Sequence, residues 1–84
     1  MLVICFYNPM VVAFVLIMSK TGQEKEVLAN IRRLNEVKEA SIVFGDYDII
    51  AKVDVSNVEN LNDLLLSKIR KIPGVSMTTT LIGI

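Results

Sequence analysis

Apolar positions along the chain alternate between strand-like and helix-like spacing. Val11 to Met18 is an unbroken apolar run, with Ala13, Val15 and Ile17 on one face and Val12, Phe14, Leu16 and Met18 on the other. Such a run suits a strand covered on both sides. Ser19-Lys20-Thr21-Gly22 breaks it, and Thr21 stands three residues before Glu24, the spacing of a capping box. Val27, Leu28, Ile31 and Leu34 then recur at helical intervals and predict an amphipathic helix of about thirteen residues. Alternation returns over Val37 to Phe44, with Ala40, Ile42 and Phe44 opposite Ser41 and Val43. It resumes over Tyr47 to Val55, with Ile49, Ala51, Val53 and Val55 opposite Asp48, Ile50, Lys52 and Asp54. These two runs flank Gly45-Asp46 as a hairpin. Ser56 or Asn57 can cap a second helix carrying the stripe Val58, Leu61, Leu65, Ile69 and Ile72, which Pro73-Gly74 ends. Val75 to Ile82 alternates as a last strand.

The order strand, helix, strand, strand, helix, strand predicts an α+β fold of the ferredoxin-like βαββαβ kind. Right-handed crossovers place both helices on one face of a four-stranded antiparallel sheet. The opposite face is left bare, and the doubly apolar first strand at its centre predicts sheet-to-sheet packing into a dimer.

Composition strengthens that expectation. Eighty-four residues allow one domain, which buries only about 63% of its unfolded surface, yet 52% of the residues are hydrophobic and 21% charged. Residues 1–10 read as an N-terminal extension or extra edge strand, and residues 11–84 as the compact domain. The first eighteen residues carry no charge, but no basic residue precedes them. Asn8-Pro9 interrupts the run, and no small-residue cleavage site follows. A cytoplasmic protein without membrane attachment is expected. Cys5 is the single cysteine and reads as a buried thiol; internal disulfides are excluded. Nine basic and nine acidic residues are dispersed, so direct nucleic-acid binding is not expected. With no histidine, no metal site is expected.

For catalysis the sequence offers only Asp46 and Asp48, which turn chemistry explains as well, and no activated nucleophile, phosphate loop or cofactor motif. No catalytic residue is assigned, and an enzyme of the dimeric α+β barrel kind is a remote alternative. A free amino acid needs a carboxylate, donors and an apolar wall. Asp48 could take its ammonium, the Thr78-Thr79-Thr80 run could donate to its carboxylate, Gly45 would allow close approach, and Tyr47 could close the pocket. Each also has a plainer role: threonine favours strands, Gly45 permits positive φ, and Tyr47 packs.

Ala13-Phe14-Val15-Leu16-Ile17, Lys20-Thr21-Gly22, Val43-Phe44-Gly45-Asp46-Tyr47-Asp48, Ile69-Arg70-Lys71-Ile72-Pro73-Gly74-Val75 and Thr78-Thr79-Thr80-Leu81 together resemble the effector-binding RAM domain of the leucine-responsive regulatory protein and AsnC family. The resemblance spans roughly Val11 to Ile84. It implies an ACT-related ferredoxin-like fold, sheet-to-sheet dimers assembled into rings, commonly octamers, and amino acids bound between dimers. The implied ligand-binding positions are Gly45, Tyr47, Asp48, Thr78, Thr79 and Thr80. Full-length members carry an N-terminal helix-turn-helix, and nothing before Val11 resembles one. The expectation is a stand-alone amino-acid-binding regulatory module that reaches transcription through a DNA-binding relative, with a purely structural oligomerisation module as the alternative. No cofactor is expected beyond the amino acid effector.

Overall fold

The protein is described by a computed structural model covering residues 10–83. The expected N-terminal edge strand and the buried Cys5 lie outside the described residues. The elements are β1 (Val11–Ser19), α1 (Glu24–Arg32), β2 (Val37–Ile42), β3 (Ile49–Val55), α2 (Val58–Asp63), a π-helical continuation (Leu64–Ile69) and β4 (Val75–Ile82). All strand pairs are antiparallel, in the order β2-β3-β1-β4, which is the ferredoxin-like arrangement with α1 and α2 on one face.

Burial follows the two-residue period of the strands. Ala13, Val15 and Ile17 of β1 and Ile49, Ala51, Val53 and Val55 of β3 form the core with Val27, Ile31, Leu61, Leu64 and Ile69 from the helices. The other row of β1 stands on the open face, and the register sets Phe14 beside Leu81, Leu16 beside Thr79 and Met18 beside Met77. Phe14, Met77 and Leu81 are exposed there. Part of the surplus apolar surface expected from composition therefore lies on this face, with more on the 43–48 loop and at Val58 and Leu66 of the second helix.

Several boundaries differ from the sequence reading. Helix α1 is nine residues long rather than about thirteen, and Thr21 does not cap it. Gln23 occupies the cap position without a side-chain bond, while the Glu24 carboxylate accepts a long 3.4 Å bond from the Gly22 amide. Glu24 and Glu26 in the first turn and Arg32 in the last complement the helix dipole instead. Strand β2 stops at Ile42, so Phe44 has no partner strand and is fully exposed. Residues 43–48 form a wider loop closed by a 2.8 Å bond from the Val43 amide to the Asp48 carbonyl. Asn57 caps α2 as expected, accepting from the Asn60 amide at 2.7 Å.

The second helix does not keep the 3.6-residue period. Over Leu64–Ile69 it widens to π geometry, with the Arg70 amide bonding the Leu65 carbonyl at 2.9 Å. The buried positions become Leu61, Leu64 and Ile69, and Leu65 moves to the flank. Beyond the end of the helix Gly74 has φ +98°, and an added Cβ there would lie 2.6 Å from Gln23 Oε1 and 2.8 Å from Val27 Cγ2. Only glycine fits this junction between the helix layer and β4.

At the β2 edge, Arg32 turns back over the sheet and donates from Nε (3.2 Å) and Nη2 (2.8 Å) to the Ala40 carbonyl. One edge carbonyl is thereby masked from a neighbouring strand.

Candidate ligand site

The 43–48 loop lies at the end of the sheet where β1 finishes and β3 begins, since Ile17 pairs with Ile49. Four hydrogen bonds attach it there. The Asp48 amide donates to the Ile17 carbonyl at 2.9 Å, extending the β1–β3 ladder by one residue. The Asp48 Oδ2 accepts from the Ser19 amide at 2.9 Å, with the Ser19 hydroxyl at 3.5 Å. Tyr47 reaches across the end of β1, and its hydroxyl shares a 2.7 Å hydrogen bond with Thr79 Oγ1 on β4. Residues 32 apart in sequence are thus joined at one corner.

Asp48 has a structural reason to be where it is. The β1–β4 register shifts between Met18 and Ser19, freeing the Ser19 amide from regular pairing. A carboxylate two residues beyond Asp46 satisfies that donor. Among the described residues Asp48 Oδ1 has no hydrogen-bond partner and could accept a cationic donor. Gly45 has φ +140° and nothing within 4 Å of a Cβ placed on it. The turn conformation accounts for the glycine, and open space lies beside it.

The threonine run is divided by the pleat. Thr79 pairs with Leu16 on the open face, where Tyr47 meets it, whereas Thr78 and Thr80 pair with Ile17 and Val15 and so belong to the helix-covered side. All three are half-buried. The structure therefore brings Gly45, Tyr47, Asp48 and Thr79 to one corner and sets Thr78 and Thr80 on the opposite face. Asp46 is exposed at the loop surface.

Residues that the sequence did not single out are Ser19, whose amide engages Asp48, and the Met18–Met77 pair beside the corner. The only signal for Ser19 was its place as the first polar residue after the apolar run.

The corner is not an enclosed cavity of one chain. A cleft of about 440 Å³ lies at the other end of the sheet, lined by Glu36, Asp54, Ser56, Asn60, Asp63 and Lys68 among others. There the Lys68 ammonium donates to Glu36 at 2.8 Å and holds the Glu36 carboxyl below the usual range. Glu36 Oε1 and Asp54 Oδ1 are buried without a partner among the described residues. No group of three His, Cys, Asp or Glu suited to a metal occurs among the described residues. No described helix is long and apolar enough to cross a membrane.

A family model for the Lrp/AsnC ligand binding domain matches residues 12–84. The HTH-type transcriptional regulator FL11 of Pyrococcus horikoshii is 40% identical over 70 residues, 83% of this chain and 46% of that regulator. This chain thus spans about half the length of the curated relatives it matches. The crystal structure of hypothetical protein PHS023 from Pyrococcus horikoshii aligns with a TM-score of 0.84 and 43% identity, over 89% of this chain and 90% of that one. Escherichia coli AsnC aligns with a TM-score of 0.85 and 33% identity, over 93% of this chain and 52% of AsnC.

Proposed function

This chain belongs to the Lrp/AsnC ligand-binding domain family, and from that membership we propose that it is an amino-acid-binding regulatory and oligomerisation module. Regulators with this domain have a ligand-binding role as a class. The finer reading is that a free amino acid binds at the corner made by Gly45, Tyr47, Asp48 and Thr79. Asp48 Oδ1 accepts from the ammonium, and the Tyr47 and Thr79 hydroxyls serve the carboxylate. The observation that carries this reading is the Tyr47–Thr79 hydrogen bond, which joins the glycine loop to the last strand in one place. Thr78 and Thr80 contribute by fixing β4 rather than by contact, since the pleat turns them away.

A corner open on one side needs a second wall, and a second copy of the chain is the proposed source. Homodimers form through the apolar sheet face and higher assemblies through the loop end, so that bound ligand biases the assembly. The proposed setting is cytoplasmic, without catalysis.

The second reading is a purely structural oligomerisation module. It is favoured by hydrogen bonds the corner already makes within the chain, Tyr47 with Thr79 and Asp48 Oδ2 with the Ser19 amide. A thermal-stability scan against the proteinogenic amino acids at millimolar concentration separates the two. A ligand at 100 times its dissociation constant adds about 2.7 kcal/mol. No shift with any amino acid, together with an unchanged mass by gel filtration and light scattering, leaves only the structural module.

A further inference from the structure

We propose that the cleft at the far end of the sheet from the 43–48 loop is a second ligand site, suited to a small organic cation that carries several N–H donors on an alkyl stem, such as a diamine or an alkyl guanidine. The proposal is independent of the amino-acid reading, because it uses none of the residues at the corner. The cleft holds about 440 Å³, a volume in the range of small-molecule pockets. It opens between the α1–β2 connection, which carries Glu36, the end of β3, which carries Asp54, and the second helix, which carries Asp63 and Lys68.

The polar lining is one-sided. Three carboxylates face one ammonium, and that ammonium is already committed to Glu36 Oε2 at 2.8 Å. Glu36 Oε1 and Asp54 Oδ1 are out of reach of solvent and have no hydrogen-bond partner among the described residues. Their residues are neighbours in the fold, since the Asp54 amide donates to the Glu36 carbonyl at 3.0 Å. Buried acceptors without donors are rare, because each forfeits its hydration with nothing in return. The torsion that sets a carboxylate plane is soft, so a small turn presents both oxygens to the cleft. Asn60 adds another acceptor: its Nδ2 donates to Ser56 Oγ at 3.2 Å, which leaves Oδ1 for an incoming donor.

What the cleft lacks is positively charged donors. A metal ion is a poor match, since among the described residues no group of three acidic side chains converges closely enough to hold one. An ammonium or guanidinium reaches separated acceptors instead, because its N–H bonds point in several directions. Met10, Val55 and Leu64 line the same cleft and give a short alkyl stem apolar contact. The excess of acceptors, the two orphaned oxygens and the apolar lining thus describe one class of ligand.

The test is isothermal titration of the intact chain at low salt with 1,4-diaminobutane, agmatine and tetramethylammonium, for wild type, Asp54→Asn and Asp63→Asn. The diamine or agmatine is expected to give saturable heat. Tetramethylammonium, which has the charge but no N–H, is expected to give none. Both substitutions keep side-chain size, and each is expected to weaken binding about tenfold, the loss of one charge-assisted hydrogen bond. Asp63 is exposed on the helix, so its replacement leaves the fold intact in circular dichroism even if Asp54→Asn does not. Tetramethylammonium matching the diamine overturns the hydrogen-bonded site. Unchanged affinity in Asp63→Asn and in folded Asp54→Asn places the cation elsewhere and overturns it too, as does the absence of heat with both amines.

Discussion

Asp48 has two tasks that a pair of substitutions can separate. Its Oδ2 holds the Ser19 amide at the register shift of β1, and its free Oδ1 and negative charge are what an ammonium would use. Asn in its place keeps a side-chain acceptor but loses the charge, so Asp48→Asn should retain the fold and weaken amino-acid binding. Asp48→Ala removes the acceptor as well and should cost about 1–3 kcal/mol, the range for an unsatisfied backbone donor. In a domain this size that lowers Tm by about 4–8 °C per kcal/mol. Equal binding by Asp48→Asn and wild type in titration calorimetry would remove Asp48 from the site. Glu36 offers a pH signature at the other end of the molecule. Its folded pKa is lowered, first by the Lys68 hydrogen bond and then by its own backbone bond, so its contribution is present above the ordinary carboxylate range and is lost as pH falls through the lowered folded value. The stability difference between wild type and Glu36→Gln should therefore shrink in urea melts taken from neutral pH to pH about 3. A difference constant over that range contradicts the pairing. The sequence made Gly45, Tyr47, Asp48 and Thr79 visible as residue types suited to a ligand. It could not reveal that Asp48 also completes a strand end, because that depends on where the β1 register shifts.

At the scale of elements, the strands were legible and the helix geometry was not. A two-residue period separates Ala13, Val15 and Ile17 from Phe14, Leu16 and Met18 in the sequence, but both rows are apolar, so which of them meets the helices is decided by packing. The loop after Ile42 was read too short, because Val43 and Phe44 continue the alternation although no strand pairs with them. The second helix was misread for a related reason. Val58, Leu61, Leu65, Ile69 and Ile72 form a regular α-helical stripe, yet packing selects Leu64 and widens the turn so that Leu64 and Ile69 share the core face. Two truncations decide between these registers. Leu64 is 1% exposed, so Leu64→Ala should cost about 2–4 kcal/mol in urea unfolding, whereas Leu65→Ala on the flank should cost about half of that or less. The reverse order would restore the unbroken α-helix. Deleting exposed Ser67 makes a second check. It would set Leu61, Leu64 and Ile69 at steps of three and four, and the shortened helix should keep its stability.

For the whole molecule, the open face of the sheet governs how the chain associates. Phe14, Met77 and Leu81 are exposed at 36%, 55% and 53% on a continuous face that also carries Val12, Leu16 and Met18. A contiguous patch of this kind on a small domain marks an association surface. The helices cannot supply the cover, because both lie on the other side, and Arg32 masks the Ala40 carbonyl at one sheet edge. Face-to-face pairing of two copies meets the need with one symmetric interface, in which Phe14 and Leu81 sit side by side near the middle. Replacing both with Glu would place at least four carboxylates in that interface if it exists, and burial of unpaired like charges is strongly unfavourable. The double variant should therefore elute at monomer mass by gel filtration with light scattering, with its helix and strand content retained in circular dichroism, since neither residue belongs to the core. It should also lose amino-acid response if the second wall of the corner comes from an assembly built on that dimer. A variant that keeps the wild-type mass would show that the face is not the dimer interface. A variant that becomes monomeric yet still binds would show that one chain is enough to form the site.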